Sequence, residues 1–216
     1  MLSLLGVVLA SYIIGSTPTS IIVSKFLKGI DIRDFGSGNA GGTNVLRTLG
    51  WGPGLLVMSV DIAKGWIAAY YIAILGYENG FISPTLVQII AGVSAILGHV
   101  YSVFTRFKGG KGVGTAAGML LAIYPIALIF CLTVFLIVAF TTKFVSLASM
   151  LAAITLPISL YLLEVYAGMP TPPVQFYFAL FVVLFILYTH RSNIQRLLKG
   201  EENRFGVKTG STEQDA

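Results

Sequence analysis

The sequence predicts an all-α integral membrane protein with seven transmembrane helices, an outer N-terminus, a cytoplasmic C-terminus and Gly-rich loops on the cytoplasmic side. The first observation is composition: 56% of the 216 residues are hydrophobic and only 11% are charged, whereas soluble domains average about 25% charged residues. So few charges cannot cover a soluble surface. The second is a series of apolar runs of the length that a bilayer-spanning helix needs, ~20 residues. The third is the one-sided placement of Lys and Arg beside these runs.

The first apolar run covers residues 3–24. No basic residue precedes it, and Lys25 and Lys28 follow it directly. A cleaved signal peptide has the reverse arrangement, with its positive charge before the apolar stretch. The run is therefore predicted to be a retained helix with its N-terminus outside.

The second and third runs cover residues 53–76 and 82–104. Asp61 and Lys64 lie inside the second run, where a lone charge at mid-helix costs ~2.5–3.5 kcal/mol on insertion scales. Their i, i+3 spacing puts them on one helix face, so they can pair. Two interpretations stay open: a structural ion pair, or support for the polar segment before this helix. His99, near the end of the third run, is expected to be packed and hydrogen-bonded.

The fourth run, residues 113–141, is too long for an ordinary span and contains Tyr124-Pro125 near its middle. Proline breaks or kinks a helix. Two short spans meeting there would put every basic loop on one side, whereas a single span would put His190 on the opposite face. With the split, the outer loops near 77–81, 124–125 and 168–173 hold no Lys or Arg. The inner loops hold Lys25, Lys28, Arg33, Arg47, Arg106, Lys108, Lys111, Lys143 and Arg191. This distribution favours seven spans.

The last two runs, 145–167 and 174–190, complete the predicted domain. We expect residues 1–198 to form a single transmembrane domain and residues 199–216 to form a short, poorly ordered polar tail.

Composition also argues against several kinds of site. The net charge of +5 is spread between apolar runs, without a basic helical face or aromatic stacking motif, so we expect no nucleic-acid partner. Cys131 is the single cysteine; it cannot form an intrachain disulfide and is expected to fill the core. No cluster of His, Cys or carboxylates has metal-ligand spacing, so neither a metal nor a cofactor is expected.

A Gly-rich polar segment at residues 36–47 follows the first run. Its first six residues match G-x-G-x-x-G, but a dinucleotide fold needs a preceding strand, and this segment lies between two predicted membrane helices. Successive backbone N–H groups in such a turn can form an anion nest. Thr43 and Asn44 could cap the next helix, whose N-terminus favours an anion, and Arg47 could bind a phosphate through two hydrogen bonds. The alternative is a flexible loop whose glycines only make turns.

A second Gly-rich segment, residues 107–112, precedes the fourth run. It contains Lys108, Gly109, Gly110 and Lys111, but Gly112 stands where a P-loop has its Mg²⁺-binding hydroxyl. Two lysines in a Gly-rich bend before a helix still favour a phosphate site. The alternative is simple positive-inside anchoring, which explains the lysines but not the glycines.

A third polar cluster follows the last run and contains His190 and Asn193. The ordinary pKa of histidine, near 6.5, suits proton transfer at neutral pH. Ser146, in another inner loop, could add a hydroxyl contact or cap a helix. Neither histidine has an Asp five residues later, since Phe104 and Gln195 occupy those positions. That H-x-x-x-x-D pattern marks acyltransferases that use acyl-CoA or acyl carrier protein. Polar clusters on one side indicate a membrane enzyme or carrier for an anionic, phosphorylated substrate.

Taken in order, these motifs resemble those of the acyl-phosphate:glycerol-3-phosphate acyltransferases of the PlsY type, which are bacterial inner-membrane enzymes. The resemblance extends from the first helix to about Glu201. It is carried by residues 36–47, by Gly98-His99 with 107–113, and by 190–201; Asp61-Ile62-Ala63-Lys64-Gly65 also fits. This chain has Ala40 and Ser102 where the family usually has proline, and Gly42 and Gly114 where it usually has alanine.

The resemblance implies a seven-helix fold with its active site on the cytoplasmic side of the plasma membrane. It implies acyl transfer from acyl phosphate to the 1-hydroxyl of sn-glycerol 3-phosphate, giving lysophosphatidic acid and phosphate without a cofactor. Catalytic roles would fall to Ser37, His190 and Lys111. Substrate-binding roles would fall to Gly38, Asn39, Thr43, Asn44, Arg47, Lys108, Gly109, Gly110, Ser146 and Asn193. Membrane lipid is a further expected partner.

An acyl phosphate is an activated anhydride, so the protein needs only to position the hydroxyl and stabilise developing negative charge. The leaving phosphate can itself take the proton. The main rival function is transport of a phosphorylated small molecule, which basic Gly-rich loops would also serve. A purely structural helix bundle would leave those loops unexplained.

Overall fold

A computed structural model describes residues 2–79 and 82–205, and within these ranges all regular structure is helical. The α-helices are α1 (Leu2–Ser16), α2 (Thr19–Lys28), α3 (Gly42–Leu49), α4 (Trp51–Tyr70), α5 (Pro84–Val100), α6 (Val113–Ile123), α7 (Pro125–Thr142), α8 (Val145–Ala167), α9 (Pro173–Thr189) and α10 (Arg191–Lys199). Short 3₁₀ helices cover Ile32–Asp34, Ile72–Asn79 and Val103–Thr105.

The first apolar run folds as two helices, α1 and α2, that meet at Thr17-Pro18. Pro18 has no backbone N–H to continue the ladder. α2 ends at Gly29, whose φ of 69° is left-handed and therefore suits glycine. The two helices together are long and apolar enough to cross a membrane, over Ser3–Lys28.

The predicted break in the fourth run is confirmed. Tyr124 separates α6 from α7, and Pro125 is the first residue of α7, where its missing N–H costs nothing. α7 is long enough to span a bilayer, but the 11 residues of α6 rise only about 17 Å. Five helical segments of the described chain could cross a membrane, or six if α9 and α10, bent by 59°, count as one span.

Glycines bring the central helices close together, as is usual in membrane bundles. A Cβ at Gly65 of α4 would overlap the Thr115 carbonyl of α6, and one at Gly118 of α6 would overlap the Ile62 carbonyl of α4. α1 and α5 meet in the same way, with Gly15 against the Ala95 backbone. These contacts fix α6 on α4, and with it the segment that leads into α6.

The end of the described chain folds back onto the bundle. α10 stops at Gly200, which has a φ of 74°, and residues 201–205, which we term the C-terminal strap, return toward the start of α8. The Phe205 N–H donates to the Lys143 carbonyl over 2.8 Å. This part of the expected tail is therefore packed rather than free. Residues 206–216 of that tail lie outside the described residues.

Candidate active site

One cavity of about 390 Å³ lies between α3, α4, α6, α7, α8, α9, α10 and the C-terminal strap. Its lining combines polar side chains with large apolar side chains that come from α6, α7, α8 and α9. The polar side chains are Ser37, Asn39, Thr43, Asn44, Arg47, Asp61, His99, Lys111, Ser146, Ser149, His190, Asn193, Glu202 and Asn203. The large apolar side chains are Leu120, Leu128, Leu132, Phe135, Leu156, Val182 and Ile186, with small alanines between them. The cavity can therefore hold a molecule with a charged head and an apolar chain.

The buried side chain of Asn44 organises the first Gly-rich loop. Its amide nitrogen donates to the carbonyls of Ile32, Phe35 and Asn39 at 3.0, 2.9 and 3.1 Å. Its amide oxygen accepts the Ser37 N–H at 2.9 Å. Every hydrogen-bonding group of this amide is thereby used within the loop. Asn44 therefore holds the shape of the loop. Its side chain has no free donor left for the expected direct contact with substrate.

Two expectations for this loop are wrong. The N–H groups of Ser37, Gly38 and Gly41 already donate to Asn44, Phe35 and Asn39, so they do not form an open anion nest. Neither Thr43 nor Asn44 caps α3, because the N-cap is Gly41 and no side chain bonds there. Gly38 is exposed and away from the cavity lining. The loop presents side chains and the first turn of α3 to the cavity.

Arg47 lines the cavity with a partly buried guanidinium. Its Nε is buried and has no hydrogen-bond partner among the described residues. Burial lowers the pKa of Arg47, with Glu202 opposing this shift and Arg196 adding to it; a guanidinium still stays charged. The guanidinium is thus a fixed positive charge at the cavity wall, and a bound anion would offset the cost of its burial.

The second Gly-rich segment divides between two sides of the fold. Lys111 lines the cavity. Lys108 is exposed and lies outside the cavity lining, while Gly109 and Gly110 face a small polar space beside Asp61 and His99. The structure thus brings Lys111 to the candidate site and leaves the other three predicted binding residues of this segment out of it.

Lys111, Asn193 and Glu202 form a connected polar network. Lys111 Nζ donates to Asn193 Oδ1, and Asn193 Nδ2 donates to Glu202 Oε1 over 2.7 Å. The same Glu202 oxygen accepts from Ser146 Oγ at 2.9 Å. Glu202 Oε2 lies 2.9 Å from Arg196 Nε. Ser146 therefore serves neither as a helix cap nor as an isolated hydroxyl; it belongs to this network.

The environment of Lys111 changes its titration. Burial lowers the pKa of Lys111 to about 8; Glu202 opposes this shift, and the positive charges of Arg196 and Arg47 add to it. Arg47, Lys111 and Arg196 all lie near the carboxylate of Glu202. This cluster has capacity for a further anion.

His190 sits at the bend between α9 and α10 and is only 2% exposed. Its Nδ1 lies 2.8 Å from the Ile186 carbonyl oxygen. A carbonyl can only accept, so Nδ1 carries the proton and Nε2 of the neutral ring is an acceptor. An acceptor nitrogen at the cavity wall can receive a hydrogen bond from a substrate hydroxyl.

Sequence reasoning missed Glu202, which was assigned to the tail. The sequence gives only a weak indication of this contact. Two consecutive acidic residues, Glu201 and Glu202, follow a basic helix, and the local sequence does not distinguish which side chain faces the cavity. It also missed the apolar walls of the cavity, because Leu and Val in a membrane helix look the same whether they face lipid or a ligand. Within the described residues, no group of three or more His, Cys, Asp or Glu side chains could hold a metal ion.

Comparison with known proteins agrees with the geometry. The family model described as glycerol-3-phosphate acyltransferase matches residues 5–200. The glycerol-3-phosphate acyltransferase of Pelodictyon phaeoclathratiforme is 45% identical, covering 96% of this chain and all of that protein. That of Chlorobium phaeobacteroides is 46% identical, covering 94% of this chain and 97% of that protein.

Two solved structures have the same fold. The glycerol 3-phosphate form of PlsY, an integral membrane glycerol 3-phosphate acyltransferase, is 41% identical with a TM-score of 0.82. Its lysophosphatidic acid form is 40% identical with a TM-score of 0.79. Each match covers 94% of this chain and 96% of the other. The chain therefore belongs to the glycerol-3-phosphate acyltransferase family.

Proposed function

We propose that this enzyme transfers an acyl group from acyl phosphate to the 1-hydroxyl of sn-glycerol 3-phosphate, giving lysophosphatidic acid and phosphate. The observation that carries the proposal is that one cavity is lined both by the cationic side chains of Arg47 and Lys111 and by apolar side chains of α6, α7, α8 and α9. Acyl phosphate and lysophosphatidic acid both join a phosphate to an apolar chain. The solved PlsY forms with glycerol 3-phosphate and lysophosphatidic acid support the same acceptor and product.

The polar residues of the lining suit the two phosphates of the reaction. Arg47 and Lys111 supply positive charge, and Ser37, Asn39 and Thr43 supply short polar groups beside them. Asn193 bridges Lys111 and Glu202, Ser146 donates to Glu202, and both line the cavity, where they can contact the acceptor. The apolar lining from α6, α7, α8 and α9 suits the acyl chain. It also excludes water, which limits hydrolysis of the donor.

In the reaction, the 1-hydroxyl oxygen attacks the acyl carbon, and the bond from that carbon to the phosphate oxygen breaks. The hydroxyl proton passes to the leaving phosphate, so no covalent enzyme intermediate is needed. His190 Nε2 accepts a hydrogen bond from the hydroxyl and orients it. Arg47 and Lys111 stabilise the charge that develops on the oxygens. Orientation and charge stabilisation together supply the catalysis.

We further propose seven spans in a bacterial inner membrane, with the cavity mouth on the cytoplasmic side and membrane lipid around α7. The positive-inside distribution of Lys and Arg supports this orientation. α6 would be a short span, with Lys111 just before its cytoplasmic N-terminus. The division into a domain at 1–198 and a tail at 199–216 stays a prediction, with the strap contacts favouring a boundary after Phe205.

The deciding experiment reconstitutes the purified enzyme in lipid with radiolabelled glycerol 3-phosphate. Acyl phosphate should support formation of lysophosphatidic acid, whereas acyl-CoA and acyl carrier protein should not, and EDTA should leave the rate unchanged. Efficient turnover with acyl-CoA alone would refute the proposed donor. Uptake of glycerol 3-phosphate into sealed proteoliposomes without any acyl product would favour the rival transporter.

A further inference from the structure

A buried polar cluster of Asp61, Lys64 and His99, none of them a proposed catalytic group, lines the small polar space beside Gly109 and Gly110, which precede Lys111. Asp61 and Lys64 sit one turn apart on α4, with Lys64 Nζ 2.8 Å from Asp61 Oδ1 and both side chains less than a tenth exposed. Lys64 Nζ also donates to the Thr17 carbonyl at the α1–α2 break over 3.2 Å. His99 Nδ1 of α5 lies 3.7 Å from Asp61 Oδ1. Three separate parts of the bundle meet at this cluster.

His99 forms the floor beneath the second Gly-rich segment. The N–H groups of Gly109 and Gly110 donate to the carbonyls of Val100 and His99 at 3.0 and 3.1 Å. A Cβ at Gly109 would overlap the His99 carbonyl, and one at Gly110 would overlap Nε2 of the His99 ring. The backbone just before Lys111 therefore rests on a residue that faces Asp61.

The backbone just after Lys111 rests on α4, the helix that carries Asp61 and Lys64. A Cβ at Gly114 would lie 3.2 Å from the Asp61 Cβ, and the Gly65 and Gly118 contacts fix α6 against α4 one turn further on. The Lys111 carbonyl accepts from Thr189 Oγ1 at 3.2 Å. The flank before Lys111 therefore rests on His99 of α5, which lies beside Asp61. The flank after Lys111 rests on α4 itself.

We propose that Asp61, Lys64 and His99 are positioning residues that hold Lys111 at the cavity wall for the phosphate of glycerol 3-phosphate. The inference rests on the proposed function and adds to it the part of the fold that sets the phosphate-binding geometry. A buried ion pair contributes little net stability, and apolar residues of similar volume often replace one without loss. An apolar pair would lack the hydrogen bond from Lys64 to the Thr17 carbonyl and the carboxylate that lies 3.7 Å from His99 Nδ1.

The test compares two double variants with the wild type. Asp61→Leu/Lys64→Met keeps the volume and removes the directional bonds, whereas Asp61→Asn/Lys64→Gln keeps hydrogen-bonding groups. The apolar pair should raise the KM for glycerol 3-phosphate by roughly 10–100-fold, the effect of a displaced positioning group, with the KM for acyl phosphate unchanged. The amide pair should stay close to the wild type. Asp31→Asn/Arg33→Gln, which removes an ion pair on the protein surface, is the matched control.

A second readout separates positioning from folding. The charged groups that shift the pKa of Lys111 are Glu202, Arg196 and Arg47. The charge of Lys111 in turn acts on the imidazole of His190. Neither Asp61 nor Lys64 is among the described groups acting on Lys111. In the Asp61→Leu/Lys64→Met variant, the alkaline limb of the kcat/KM profile should therefore shift to higher pH only if Lys111 leaves its buried position. Trace labelling of Lys111 by acetic anhydride across pH, read by mass spectrometry, should show the same shift without substrate.

Each outcome decides the proposal. A folded apolar variant with an unchanged KM for glycerol 3-phosphate and an unmoved Lys111 titration overturns it, as does an equal rise in both KM values with an unmoved titration. If the apolar variant fails to fold, His99→Asn, which leaves the ion pair intact, must show the same selective KM rise or the proposal fails. If the wild-type enzyme shows no turnover with acyl phosphate and glycerol 3-phosphate, only the proposed function is refuted. The position of Lys111 is still tested, because its labelling needs no turnover.

Discussion

At the scale of single residues, the structure separates two lysines that sequence treats alike. Lys111 lines the cavity and Lys108 is exposed outside it. Arg47→Ala and Lys111→Ala should each lower kcat/KM for glycerol 3-phosphate by roughly 10–150-fold, because a hydrogen bond to a charged group contributes ~1.5–3 kcal/mol. Lys108→Ala is the matched control, and steady-state kinetics in reconstituted lipid are the measurement. A loss for Lys108→Ala as large as that for Lys111→Ala would contradict the placement of Lys108.

The lowered pKa of Lys111 predicts a pH dependence. Below its pKa of about 8 the ammonium is charged and binds phosphate; as pH rises through that value the charge is lost. kcat/KM for glycerol 3-phosphate should therefore fall about tenfold per pH unit above the pKa, the slope of one essential proton. The phosphate of the substrate ionises near pH 6, so this limb belongs to the enzyme. In Lys111→Arg the limb should disappear below pH 10; its persistence there would assign it to another group.

His190 has two competing roles, general base or orienting acceptor. The Ile186 carbonyl fixes the tautomer, so Nε2 could serve in either. General-base catalysis contributes ~10²–10⁴-fold, whereas an orienting contact can be partly kept by a neutral amide. We expect His190→Asn to retain measurable activity with the wild-type pH profile, and His190→Ala to lose more. A fall of more than ~10³-fold in His190→Asn, with loss of the acid limb of the wild-type pH profile, would make His190 the base.

At the scale of elements, the C-terminal strap lines the polar part of the cavity. Glu202 joins Ser146, Asn193 and Arg196. The Phe205 ring lies 5.7 Å from Trp51 and 5.9 Å from Phe140. The strap thus ties α10 to α4, α7 and α8, and it supplies the negative charge that the cationic cluster needs.

Glu202→Gln should therefore destabilise the protein and weaken substrate binding. Losing charge-assisted bonds costs ~1.5–3 kcal/mol, so we expect a lower Tm and a higher KM for glycerol 3-phosphate. Glu201→Gln, at the exposed neighbouring position, should match the wild type in both thermal unfolding and kinetics. Equal behaviour of the two variants would show that the strap contacts do not matter in solution.

At the scale of the whole molecule, the proposed orientation puts α3 and α10 on the same side of the membrane. In a Cys131→Ala background, Thr43→Cys and Ser192→Cys should be labelled by an impermeant maleimide only from the cytoplasmic side. Met169→Cys, between α8 and α9, should be labelled from the outside. Labelling of Thr43→Cys and Ser192→Cys from opposite sides would overturn the seven-span topology.

The sequence alone determined the membrane class, the approximate extent of the apolar helices and the break at Tyr124-Pro125, because these depend on local properties. Apolar runs fix where a chain can cross lipid, and proline removes a ladder N–H wherever it stands. The pairing of Asp61 with Lys64 was also predictable, since helical spacing alone puts them on one face. The resemblance of the ordered motifs brought the family and the reaction within reach.

The tertiary structure decided which polar groups remain available to a ligand. Asn44 and the amides of Ser37 and Gly38 looked like anion donors, but the folded loop uses them internally. Lys111 and Lys108 are three residues apart and diverge because the intervening glycines pack on His99. Glu202 reaches Ser146 across 56 positions of chain. Hydrogen-bonding capacity is used up by whichever partner the fold brings near, and no local pattern in the sequence records that partner.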